Sequence, residues 1–143
     1  MTTFNLWWSL VWRLTLLLLL LSFVLHPLAQ VFLGIDSVTL IKMRPSVTSW
    51  LLAILLWVSA AISPRFVSLV LWAERLGLTA AQWLTVCRGV SLFLVVLGVC
   101  NLVVAHFAST AAWVNFKLFF PYPLFVLFLA VLAATVKRAR PQR

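Results

Sequence analysis

Long uncharged runs, broken by short clusters of charge, set the rhythm of this chain. Residues 14–35 carry no formal charge and include LTLLLLLLSFVLHPLAQVFLG. A helix needs about 20 apolar residues to cross a bilayer, so this run predicts a first transmembrane helix over 10–34. Arg13 lies near its start, where a long side chain can snorkel to the interface. Trp7, Trp8 and Trp12 form an aromatic belt at the same end. IDSVTLIKMRP then reads as a short polar connection, with Pro45 placed to open the next helix. PSVTSWLLAILLWVSAAISP predicts a second transmembrane helix over 45–63, ended by Pro64.

The next stretch, RFVSLVLWAERLGLTAAQW, is too short between its charges to span. Arg65, Ser68 and Arg75 recur at helical spacing, with apolar residues on other faces. This predicts an amphipathic helix over 65–76, lying in the membrane interface. Gly77 ends it, and Thr79 is placed to N-cap the helix after it. A third transmembrane helix is predicted over 83–105 and a fourth over 113–136, with HFASTAAW as the turn between them. Pro121 and Pro123 predict a kink or break in the fourth. The tail KRARPQR reads as a frayed basic end. The pattern therefore predicts an all-α integral membrane protein: one domain over 1–143, with about four transmembrane helices plus one amphipathic interfacial helix. The N-terminal run lacks a basic leading region and a clean A-x-A site, so a retained anchor is expected rather than a cleaved signal.

Composition strengthens this picture. The chain is 65% hydrophobic and 9% charged over 143 residues. A soluble domain of this size has too much surface to hide so many apolar residues. Eleven Lys and Arg stand against Asp36 and Glu74 alone. No polar face gathers the basic residues, which argues against nucleic acid and for contact with membrane lipid headgroups. Eight of them fall at the two termini and the middle connection, while Lys42, Arg44 and Lys117 fall on the other predicted side. That bias predicts both termini in the cytoplasm. Cys87 and Cys100 would lie about 20 Å apart along one helix, too far for a bridge.

Candidate chemistry is sparse. His26 and Gln30 share a face of the first helix, where a polar path and a simple hydrogen-bonded pair are both open readings. His106 reads as an interfacial residue. Asp36 and Glu74 fall on opposite predicted sides, so they do not form a catalytic carboxylate pair. No Ser-His-Asp set, metal-ligand spacing or phosphate-cradling loop is visible. The expectation is no enzyme, no catalytic residues, no cofactor and no metal. Gly98 and Asn101 are three apart on one helix face, a packing pair with a polar glue residue. In AWVNFKLFF, residues 112–120, Trp113 and Lys117 are i and i+4, so the ammonium can lie over the indole. Phe116, Phe119 and Phe120 supply core or lipid contacts, and Asn115 can bond the turn backbone or the third helix.

These residues resemble a known family. AWVNFKLFF is similar to the TWVNFKVFG segment of bacterial intracellular septation protein A, matching at Trp113, Val114, Asn115, Phe116 and Lys117. Gly98 and Asn101 match that family's Gly-x-x-Asn pair. TLIKMRPSVTSWLLA resembles its F-I-K-x-K-P-T-V-x-x-W-L-F-A segment through Ile41, Lys42, Arg44, Pro45, Val47, Trp50, Leu51 and Ala53. LGLTAAQW fits its link into the penultimate helix, with Trp83 in register. The resemblance runs over about 36–137. The chain departs from the pattern at TVCRG after Trp83 and at Phe120, Pro121 and Pro123 after the aromatic motif. Typical members carry additional N-terminal membrane segments, which this chain is expected to have lost or replaced.

The resemblance implies a multi-pass protein of the bacterial inner membrane, tied to envelope maintenance and septation through protein partners of envelope synthesis or division. Interaction and packing would fall to Trp113, Asn115, Phe116, Lys117, Gly98, Asn101, Lys42, Arg44, Pro45 and Trp50. A homo-oligomer stays open. So do a small transporter or lipid-handling protein, and an accessory subunit of a larger membrane complex.

Overall fold

The computed structural model describes residues 2–33, 37–63 and 77–138, apart from the side chains at 26, 29–33, 37 and 39. The regular elements among them are five helices: α1 (Thr3–Leu33), α2 (Ser37–Ile62), α3 (Ala80–Phe107), α4 (Thr110–Phe119) and α5 (Pro121–Arg138). Four segments are long and apolar enough to cross a membrane: Thr3–Leu25, Leu40–Ile62, Ala80–Phe107 and Thr110–Arg138. The protein is an all-helical membrane protein. The interfacial helix expected over 65–76 lies outside the described residues, as do the side chains of His26 and Gln30.

Two helix starts differ from the sequence expectation, each for a local reason. α1 begins at Thr3 rather than near Leu10. Its buried stripe runs back through Leu14, Leu10 and Leu6, one residue per turn, and the Thr2 hydroxyl accepts from the Asn5 amide at 3.2 Å. Helix thus extends as far as there is a face to bury and a cap to close it. α2 begins at Ser37, so Lys42 and Arg44 sit in its second turn and Pro45 lies inside it rather than opening it. A proline inside a membrane helix is tolerated when neighbours satisfy the loosened turn. Here the Lys42 carbonyl accepts from Asn101 of α3 at 3.0 Å, and the Arg44 carbonyl accepts from the Thr48 hydroxyl at 2.9 Å.

α3 starts cleanly. Thr79 is its N-cap in a capping box: its hydroxyl accepts from the Gln82 amide, and the Gln82 side chain accepts from the Thr79 amide at 2.9 Å. Gly77 just ahead has φ +60, a conformation that favours glycine because it has no Cβ to clash. Gln82 is buried, and its Nε2 donates to the Val136 carbonyl of α5 at 3.0 Å. The break between α4 and α5 falls at Phe120, directly before Pro121, because a proline has no N–H to continue the helix ladder.

The four long helices pack as a ring, α1 on α2, α2 on α3, α3 on α5 and α5 on α1, with α2–α3 the most extensive pair. α3 turns a stripe inward at steps of three or four: Trp83, Cys87, Val90, Leu94, Gly98 and Asn101. α2 answers with Ser46, Ser49, Ala53 and Leu56 at the same steps. Small residues at such a seam let two backbones approach closely, and in lipid that packing, not water exclusion, holds helices together. The Ser91 hydroxyl donates to the Ala53 carbonyl at 3.1 Å across this seam. On the ring's outside, residues such as Phe23, Ile54, Leu92 and Phe107 are exposed, the surface a lipid solvent requires.

Candidate functional site

The three motifs that stand apart in the sequence lie on three different helices and meet at one end of the α2–α3 seam. Asn101 is their hub, buried at 5% exposure. Its Nδ2 donates twice, to the Ser46 hydroxyl at 2.8 Å and to the Lys42 carbonyl at 3.0 Å. Its Oδ1 accepts from the indole Nε1 of Trp113 at 3.1 Å. One amide thus binds α2 and α4 to α3, with both donors and the carbonyl oxygen in use. The Ser46 hydroxyl passes its own proton back to the Gly98 carbonyl at 2.8 Å. One turn further along α2, the Trp50 Nε1 donates to the Val95 carbonyl at 3.2 Å.

Gly98 makes this closure possible. A Cβ there would strike the Trp50 indole, lying against Nε1 and within 2.8 Å of Cδ1. Glycine is therefore required for close approach rather than for an unusual backbone angle.

The AWVNFKLFF stretch divides between two faces of α4. Ser109 caps the helix, its hydroxyl accepting from the Ala112 amide at 3.3 Å. Trp113 points inward, 4% exposed, and the Lys117 ammonium lies 5.2 Å from the centre of its ring. Phe116 stacks on Phe120 at 5.2 Å. Val114, Asn115, Leu118 and Phe119 are exposed. Trp113 supplies the bond from this motif to α3, while Asn115, for which the sequence leaves the turn backbone and the third helix both open, is exposed.

Lys42, Arg44 and Pro45 flank the hub on α2. The Arg44 Nη2 donates across to the Ser22 carbonyl of α1 at 2.7 Å, while its Nε is buried with no partner. The structure thus joins Gly98, Asn101, Trp50, Trp113 and the Lys42 backbone in one cluster, puts Arg44 and Lys117 beside it, and leaves Asn115 outside. Sequence reasoning missed Ser46. The signal that could have found it was its place one turn before Trp50 on the small-residue face of α2.

The hub has no nucleophile–base pair in it. Among the described residues no group of three or more His, Cys, Asp or Glu is placed to hold a metal ion. His106 is exposed and packs edge-on against Phe107, and both cysteines are free thiols.

Comparison with known proteins gives a consistent answer. The family model for intracellular septation protein A matches residues 2–143, so the likeness reaches back through α1, well beyond residue 36. Similar curated proteins bear the name inner membrane-spanning protein YciB. The one from Ralstonia nicotianae is 31% identical over 105 residues, 73% of this chain and 56% of the relative. That of Nitrosospira multiformis is 37% identical over 93 residues, 65% and 51% of the two chains. That of Coxiella burnetii is 34% identical over 89 residues, 62% and 49%. The chain therefore spans about half the length of the curated relatives it matches. No solved structure matches it.

Proposed function

The chain belongs to the intracellular septation protein A family, and from that premise we propose that it is a non-enzymatic inner-membrane protein serving envelope maintenance and septation through contact with envelope-synthesis or division proteins. The relatives' own name, inner membrane-spanning protein, supports the location. The contact surface in this reading is the outer face of α4, made of Val114, Asn115, Leu118 and Phe119. One observation carries it: Asn115 is exposed in a spanning segment whose neighbour Trp113 is buried. An amide facing hydrocarbon seeks a partner, and the protein's own hub is already satisfied by Trp113. Both termini would face the cytoplasm, from the excess of basic residues at the ends and the middle connection.

A photo-crosslinking residue at 115 or 118 in living cells tests this. The expected products are adducts with proteins of envelope synthesis or division, identified by mass spectrometry. Adducts with lipid alone would overturn the reading. Reporter fusions at Arg143 and in the 106–112 turn should report opposite sides of the membrane, with the terminus cytoplasmic.

A further inference from the structure

Beside the hub the helices leave a half-open cleft of about 250 Å³. Its walls come from α1, α2, α3, α4 and α5, and are mostly hydrocarbon: Leu18, Leu19, Leu94, Leu97 and Phe125. Two cationic residues line it, Arg44 from α2 and Lys117 from α4, together with Tyr122 and the small hydroxyl residues of α1 and α2. This is an unusual pairing for a membrane interior. A charged side chain there is costly, and it is kept where it faces a partner, a cavity or a substrate path.

Among the described residues neither cation meets an acidic side chain. The chain has only two acidic side chains, Asp36 and Glu74, and both lie outside the described residues. The Arg44 guanidinium spends one N–H on a backbone carbonyl and leaves a buried Nε unpartnered. The Lys117 ammonium lies over an aromatic ring. A carbonyl and a ring face are dipolar or quadrupolar acceptors, not counter-charges. Two positive groups in a low-dielectric cleft therefore attract an anion strongly.

We propose that the cleft binds the phosphate of an anionic membrane lipid, with Arg44 and Lys117 as the phosphate-holding pair. A guanidinium presents several N–H donors in a fork that suits phosphate oxygens, and an ammonium adds a mobile point charge. The Tyr122 hydroxyl supplies a further donor. The hydrocarbon walls decide the source: a free phosphate or a soluble ester would find nothing there for its polar remainder, whereas a lipid lays its chain along Leu18, Leu19 and Leu97. The site goes beyond the proposed protein contacts and does not depend on them, because those use the opposite face of α4.

Native mass spectrometry of the full chain in mild detergent, titrated with defined lipids, tests the proposal. Phosphatidylglycerol and a polyprenyl phosphate serve as the two net-anionic phosphate probes, phosphatidylcholine, whose phosphate is balanced by its own ammonium, as the zwitterionic comparison and inorganic phosphate as competitor. At least one anionic lipid should bind ten-fold or more tighter than phosphatidylcholine, and millimolar inorganic phosphate should leave that binding unchanged. The R44Q/K117Q variant should lose the preference, and R44K/K117R should keep it. K137Q/R138Q, which removes two cations at the far end of α5, should also keep it. K117Q alone covers the case in which the double variant fails to fold, and should weaken anionic lipid binding at least three-fold. Equal binding of anionic and zwitterionic lipids would overturn the site. So would displacement by inorganic phosphate, or a loss in K137Q/R138Q equal to that in R44Q/K117Q.

Discussion

The α2–α3 seam and the cleft beside it are built from the same stretch of α2, yet they treat polarity in opposite ways. In the seam the polar atoms are paired. Asn101 makes three hydrogen bonds, Ser46 passes its proton to Gly98, and Trp50 and Ser91 each reach a backbone carbonyl across the interface. In the cleft, Arg44 keeps an unpartnered Nε and Lys117 lies over a ring face, with no acidic side chain at either among the described residues. Pairing in a dry interior fixes geometry, whereas uncompensated charge beside open volume invites a ligand. Structure thus belongs to one region and binding to the other, although a single motif, KMRPSVTSW, feeds both.

The sharpest way to break the contrast is to unpair the seam. Asn101→Leu removes three hydrogen bonds and leaves the Trp113 indole N–H without an acceptor. At about 0.6–1.7 kcal/mol for each bond inside a membrane protein, the loss should be roughly 2–5 kcal/mol, read by reversible unfolding in mixed micelles. A loss below about 1 kcal/mol would mean that the hub contributes little to holding the bundle together.

Gly98→Ala tests the same seam by crowding rather than by unpairing. The added Cβ meets the Trp50 indole, and overpacking of this kind costs about 1–3 kcal/mol. Trp50→Ala removes the ring it would strike. The double variant should therefore be more stable than the sum of the two single losses allows, by at least about 0.5 kcal/mol, the size of coupling seen between residues in contact. Strict additivity would show that the close approach at Gly98 is not set by Trp50.

Much of this was legible in the sequence, and the gaps have physical causes. Spans, the packing role of Gly98 and Asn101, and the lysine over the indole all come from helical spacing, because spacing places residues on faces. Spacing does not tell which residue of another helix a face will meet. Spacing sets Trp113 under Lys117 and leaves Asn115 free to reach the turn or α3, and only the packing of α4 on α3 turns the indole inward to Asn101. Pro45 misled for a related reason. By local rules it opens a helix, but in lipid an unsatisfied backbone is costlier than a strained turn; the helix runs back to Ser37, and Asn101, 56 positions away in the chain, donates to the Lys42 carbonyl in the turn before the proline. The cleft was invisible because Arg44 and Lys117 are 73 positions apart.

The smallest expected effect bears on the outer face of α4. Asn115→Ala alters an exposed side chain with no part in the hub, so its stability should stay within about 0.5 kcal/mol of the parent. Its value lies in separating two readings of the WVNFK motif. If the motif exists to hold the bundle, cells carrying Asn115→Ala in place of the parent gene should divide normally, as stability is untouched. If its outer face meets a partner, the same cells should show misplaced septa or envelope leakage despite a protein that folds and accumulates as before. The inner face provides the matched comparison. Trp113→Phe removes the bond to Asn101 and should cost stability by about 0.6–1.7 kcal/mol while leaving the outer surface as it was. A defect in septation that accompanies Asn115→Ala and not Trp113→Phe would place function outside the hub, on the surface the seam holds in position.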